Sequence, residues 1–137
     1  MKPKLHHINL STKNVKLMKE FYKKILFLND ENVDIPKLEK EKVYTGDVEF
    51  MTDLTIQTHL AEIDNDLCFK TGLAINPLSK GHIAYRVEDL KKFKEHLDQN
   101  EIKYSDWGET AISGWKQIFF YDPDGNIIEV HEKISKN

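Results

Sequence analysis

Two rhythms of apolar residues take turns along this chain. Around Leu5-His6-His7-Ile8-Asn9-Leu10-Ser11 the period is two, predicting a strand with His7, Asn9 and Ser11 on one face and His6, Ile8 and Leu10 on the other. From Val15 the period lengthens. Val15, Met18, Phe21, Tyr22 and Ile25 fall on one face of a helix that runs to about Leu26, with Asn14 as its N-cap. Residues 29–42 are polar and carry Pro36. Strand-like pieces follow at Lys42–Tyr44 and Val48–Met51, and then a longer strand over Leu54–Ile63. Residues 64–80, with Gly72 and Pro77, read as a loop-like connector.

After the connector the pattern begins again. His82-Ile83-Ala84-Tyr85-Arg86-Val87 is a strand, and Asp89 caps a helix with Leu90, Phe93 and Leu97 on one side. Strand material resumes at Tyr104, then at Trp115–Tyr121 and Asn126–Glu132. Between the last two, Asp122-Pro123-Asp124-Gly125 predicts a hairpin turn, since Pro presets φ and Gly supplies φ > 0. An offset of 75 residues lays His7 on His82, Ile8 on Ile83, Val15 on Leu90 and Met18 on Phe93. This is the mark of internal duplication. For the closing strands two offsets compete: 70 lays His59 on Glu129, whereas 72 lays Gln57 on Glu129 and His59 on His131. We therefore expect one domain, with module one at about 4–63, the connector at 64–80 and module two at about 81–133.

Composition narrows the function. The 137 residues carry a net charge of −3, so no basic field invites nucleic acid or an acidic membrane. The single cysteine, Cys68, excludes an internal disulfide and any CxxC motif. No stretch resembles a signal peptide or approaches ~18 apolar residues, so the expected compartment is the cytoplasm.

The candidate chemistry follows from alternation. Glu129 lies in a strand otherwise built of Ile127, Ile128 and Val130, and an unpaired buried charge costs several kcal/mol. If the two halves curve together, the faces bearing His7, His82, Glu129 and either His59 or Gln57 converge on a mixed nitrogen and oxygen site. Such ligands without thiolate suit Zn, Ni, Co, Mn or Fe(II), and a divalent ion would neutralise Glu129. His131 shares the face of Glu129 and would support the ligands. His6, on the opposite strand face, reads as structural, and His96 as solvent-facing. Arg86, the only arginine, shares the face of His82 and could hold a substrate carboxylate. Trp115, Gln117, Phe119 and Tyr121 share one strand face as a substrate wall with Trp107 in the loop before, and Asn9 and Gln57 join the expected substrate-binding residues.

Leu5-His6-His7-Ile8-Asn9-Leu10, Phe21-Tyr22-Lys23-Lys24-Ile25-Leu26, Gly81-His82-Ile83-Ala84 and Asp122-Pro123-Asp124-Gly125-Asn126-Ile127-Ile128-Glu129 together resemble the vicinal oxygen chelate superfamily. That group includes glyoxalase I, fosfomycin-resistance thiol transferases, extradiol dioxygenases, methylmalonyl-CoA epimerase and bleomycin-sequestering proteins. The resemblance spans about residues 4–133. It implies an α+β fold of two βαβββ modules forming a cupped mixed sheet with helices outside. It also implies a divalent metal on His7, His82 and Glu129, with His59 favoured over Gln57 as the fourth ligand. A His/Gln/His/Glu set would be similar to the epimerase; neither choice reproduces the His/Glu/His/Glu quartet of bacterial glyoxalase I.

The resemblance further implies a small-molecule substrate, with a thiol such as glutathione among the candidates, and a homodimer whose cups form within one chain or across two. The leading expectation is a lyase or isomerase of glyoxalase type working through a metal-stabilised enediolate, with Glu129 shuttling the proton. Epimerase-like isomerisation, antibiotic-resistance thiol transfer and non-enzymatic ligand sequestration are the alternatives. Thiol transferases are similar in the Glu129-Val130-His131 ending, but carry a tyrosine about where Phe119 stands.

Overall fold

The computed structural model describes residues 1–30, 34 and 44–134. The first strand, β1 (Lys4–Thr12), hands over to helix α1 (Val15–Leu26) at Asn14, whose Oδ1 accepts the Leu17 N–H at 3.0 Å. Strands β2 (Val48–Thr52) and β3 (Gln57–Glu62) follow. The longer strand expected from Leu54 starts three residues later. Asp53 Oδ1 accepts both the Thr55 and Ile56 N–H groups, and Leu54 takes a left-handed φ of 77°, so residues 53–56 are a turn. Residues 42 and 43 of the expected Lys42–Tyr44 strand lie outside the described residues, and Tyr44 is not in a strand.

The connector is not wholly loop: it contains a short helix, α2 (Leu67–Thr71), ending at Gly72 with φ 71°. Strand β4 (Gly81–Arg86) leads to α3 (Leu90–Gln99), whose cap repeats the first one. Asp89 Oδ1 accepts the Lys92 N–H at 3.0 Å, so the 75-residue offset carries cap onto cap and donor onto donor. Strands β5 (Ser105–Gly108), β6 (Trp115–Tyr121) and β7 (Ile127–Lys133) complete the chain. The β6–β7 turn closes as expected: the Gly125 N–H reaches the Asp122 carbonyl at 3.0 Å, with Gly125 at φ 83°.

The seven strands among the described residues form one mixed sheet in the order β2-β3-β1-β4-β7-β6-β5. The centre is the antiparallel pair β1·β4, where Ile8 faces Ile83; each is flanked by a parallel partner, β3 and β7. Gly81 is required at this pairing, because at φ 122° a Cβ would collide with the Asn9 carbonyl. The helices cover the outer face. Val15, Met18 and Tyr22 of α1 pack with Met51 and Leu60, and Leu90, Phe93 and Leu97 of α3 with Ile118, Phe120 and Val130. Phe21 and Ile25, expected on the buried face of α1, are instead 53% and 51% exposed. On the inner face Leu67 and Ile75 of the connector pack on Trp107 and Phe119, roofing the cup. Among the described residues no helix is long and apolar enough to cross a membrane.

Candidate metal centre

Period-two geometry delivers the polar residues in rungs across the inner face. One rung runs Phe50, His59, Asn9, His82; the next runs Gln57, His7, Ala84, Glu129, Phe119; a third holds Arg86, His131 and Gln117. The register also resolves the two offsets. Thr58 pairs with Ile8 and Ile128 with Ile83, so His59 stands in the first half where Glu129 stands in the second. That is the 70-residue offset.

Glu129 is 0% exposed. Its Oε2 lies 2.9 Å from His7 Nε2 and 3.2 Å from His82 Nε2, yet neither contact is aligned as a hydrogen bond, leaving Oε2 unpartnered. The reason is visible at the far side of each ring. His82 Nδ1 lies 2.8 Å from the Pro77 carbonyl, which can only accept, so Nδ1 carries the proton and Nε2 a lone pair. His7 Nδ1 meets His6 Nδ1 at 2.8 Å; the proton placed on His7 likewise leaves a lone pair on Nε2. With the His6–His7 proton on His7 Nδ1, three lone-pair atoms converge, an arrangement that is repulsive without a cation among them. The two distances to Oε2 are short enough for ligands of a shared ion, and a nitrogen and oxygen donor set without thiolate fits a divalent metal.

Burial pushes the Glu129 carboxyl up, but His7 and His82 lying against it outweigh that and hold the carboxyl well below its usual range. Burial lowers His7, opposed by Glu129, and lowers His59 strongly. Neutral imidazoles and an ionised carboxylate are the protonation states that ligation needs. The other carboxylate oxygen, Oε1, accepts a short hydrogen bond from Gln117 Nε2.

The remaining expected residues divide. His59 and Asn9 line the cup with His7, His82, Gln117, Phe119 and Glu129. The His59 ring stacks on His7 with centroids 3.8 Å apart, and its Nε2 donates to Gln57 Oε1 at 2.7 Å. Gln57 does not line the cup; with Arg86 and His6 it lines a separate hollow near Asp34. Arg86 is likewise turned away, donating through Nε to His131 Nε2 at 3.0 Å and through Nη1 to Asp34 Oδ2 at 3.2 Å. Trp115 lies beneath Arg86 and against His131, off the cup, and Tyr121 is 52% exposed, so the expected substrate wall reduces to Gln117 and Phe119. Trp107, expected in a loop, lies in β5 and lines the cup.

Two histidines matter more than their sequence positions imply. His131 joins His7 and Glu129 in a group whose ligand atoms all lie within 4.8 Å of one another. His6 is not on the outer face. The register shifts between Leu5 and His7, so His6 is the extra residue of a bulge and turns inward beside His7 and His131. No local signal in the sequence marks that bulge.

The cup has a volume of about 70 Å³, and Phe50, Leu67, Trp107, Ile112 and Phe119 form much of its wall. No lysine or arginine lines it among the described residues.

The sequence profile of the glyoxalase-like domain family matches residues 5–135. No curated protein matches the chain. Among solved structures the fold is similar to a hypothetical protein from Bacillus halodurans C-125 (TM-score 0.68, 17% identity, 100% of this chain and 99% of that one). It is also similar to methylmalonyl-CoA epimerase from Mycobacterium tuberculosis (TM-score 0.67, 16% identity, 96% and 89%). A third relative is a glyoxalase/bleomycin resistance protein/dioxygenase superfamily member from Vibrio splendidus 12B01 (TM-score 0.59, 13% identity, 96% and 100%).

Proposed function

The chain belongs to the glyoxalase-like domain family, and on that premise we propose that it is a metal-dependent lyase or isomerase of glyoxalase type acting on a small organic molecule. The observation that carries this reading is Glu129 Oε2, fully buried and unpartnered between the Nε2 atoms of His7 and His82 at the floor of an apolar cup. His7, His82 and Glu129 would hold the ion, with His59 as the fourth ligand because it stands at the position equivalent to Glu129 and lines the cup. When bound, a divalent cation supplies Lewis-acid charge against the negative charge that develops on two neighbouring oxygens of the substrate.

The chain's own residues then divide the work. Gln117 occupies Oε1 of Glu129, so Oε2 is the oxygen that faces the ion, and a Glu129 displaced from that position would take the proton α to the substrate carbonyl and return it to the neighbouring carbon. Phe50, Trp107 and Phe119 exclude water and hold the organic body of the substrate. The cup is small beside the roughly 300–1,000 Å³ of drug-sized ligand sites, which favours a substrate with few atoms at the reacting end.

Epimerase-like isomerisation is the same proton transfer on another substrate, and solved methylmalonyl-CoA epimerases share the fold, one in complex with methylmalonyl-CoA. The lack of lysine and arginine in the described lining supports a substrate without phosphates inside the cup. The test is chelation, reloading with Zn, Ni, Co, Mn or Fe, and elemental analysis. A screen of hemithioacetals, methylmalonyl-CoA, fosfomycin with thiols, and catechols follows. About one ion per chain and turnover of a hemithioacetal are expected. Failure to retain any of these ions would overturn the reading.

A further inference from the structure

We propose that Arg86 is a positioning residue that fixes His131 as its Nδ1–H tautomer, so that His131 faces Glu129 as a donor and is not itself a metal ligand. The inference rests on the metal reading above and deepens it, because proximity alone puts His131 in the ligand group.

A guanidinium carries only donors and stays charged at any ordinary pH. Arg86 Nε–H points at His131 Nε2 at 3.0 Å, so that nitrogen must present its lone pair and the proton sits on Nδ1. Nδ1 is buried, has no hydrogen-bond partner, and lies 3.7 Å from Glu129 Oε1. The ring is held against rotation. Trp115 stacks on it with centroids 4.1 Å apart and planes within 7°, and the Arg86 guanidinium lies 5.0 Å from the centroid of that same indole. Arg86 is anchored in turn by Asp34, which also accepts from Lys133 Nζ at 2.6 Å.

His82 shows the opposite arrangement. Its outer nitrogen, Nδ1, carries the proton for an acceptor, and its lone pair faces inward. In His131 the outer nitrogen accepts a hydrogen bond from Arg86 and the inner one carries the proton. For His131 to ligate through Nδ1, its Nε2 would have to become N–H and face the Nε–H of Arg86, donor against donor. The structure thus separates an imidazole whose lone pair faces Glu129 from one whose lone pair is held by Arg86 and whose N–H is turned toward Glu129.

Proton–nitrogen NMR of the metal-free protein at a pH of about 8, where imidazoles are neutral, reads the tautomer directly. The wild type is expected to show His131 as Nδ1–H. Arg86→Met should move it toward the other tautomer, and Arg86→Lys, which keeps a donor, should restore the wild-type pattern. With Co(II) as the probe, His131→Gln should retain the ion while weakening it about 10- to 100-fold, the usual cost of losing an outer support. Arg86→Met should alter the visible absorption of the bound Co(II).

An Nε2–H tautomer in the wild type, or complete loss of Co(II) in His131→Gln, would overturn the proposal. Should Arg86→Met fail to fold, the wild-type tautomer and His131→Gln decide it. Wild-type protein that takes up no metal would sink the functional reading, whereas the NMR of that metal-free protein tests Arg86 separately.

Discussion

In the half of the sheet built on β1 and β3, the position beyond the strand pair that flanks the centre carries His59. In the half built on β4 and β7, the equivalent position carries Glu129. The backbones correspond down to the helix caps, yet the side chains do not share the work equally. His59 is neutral, stacked on His7 and hydrogen-bonded to Gln57. Glu129 brings a full negative charge to the floor and is held by Gln117. A repeated scaffold can therefore supply geometry from both halves and charge from only one. The lesson is that symmetry of the chain sets where ligands stand, not what they contribute.

The sharpest way to break this comparison is to remove each half's contribution in turn. Glu129→Gln and His82→Ala should each reduce bound metal from about one ion per chain to none by elemental analysis, because the site loses its charge or an inward lone pair. His59→Ala should retain the ion and weaken it, and Gln57→Ala should weaken it less, by chelator competition. Equal loss from Glu129 and His59 variants would mean the halves contribute alike.

The outer faces differ as well, and stability measures that. Leu97, buried under α3, should cost about 2–5 kcal/mol on substitution by Ala. Phe21→Ala on the half-exposed face of α1 should cost under about 1 kcal/mol. Denaturant unfolding of both variants checks the difference.

Acid should also destabilise the metal-free protein. Burial lowers His131 from 6.5 to about 4 and His6 to about 3. Between those values and 6.5 the unfolded chain binds protons that the folded chain refuses, so stability is full above about pH 6.5 and falls as pH drops toward 3. Thermal melts of chelated protein across that range should show it; a flat profile would mean the two rings are already solvated.

The smallest effect tests where the halves agree. Asn14→Ala and Asp89→Ala each remove an N-cap that accepts one N–H at 3.0 Å, and each should cost about 1 kcal/mol. A marked difference between them would show that the repeated caps carry unequal weight.

Much of this was legible from periodicity. Asn14 and Asp89 announce their helices and Asp122–Gly125 its turn, and alternation assigns His7, His82 and Glu129 each to a strand face, which converge once the halves share one sheet. What alternation could not convey was any departure from itself. The bulge at His6 depends on how β1 lies against β4, a pairing between residues some eighty positions apart. The strand face of Arg86 says nothing of its partners, Asp34 and His131, which lie 52 and 45 positions away. Leu54 looked like strand because an apolar residue in the left-handed region gives no compositional warning. The two offsets for the closing strands differ by two residues, and only the registers to Ile8 and Ile83 fix the value at 70.

That central pairing has one more consequence. His7 and His82 each sit one residue from the facing isoleucines, on strands that run in opposite directions. A slip of a single residue between β1 and β4 would put their inner faces out of phase and carry one imidazole to the outside. An ion that demands both rings would therefore act as a proofreader, rewarding the correct alignment and no neighbouring one.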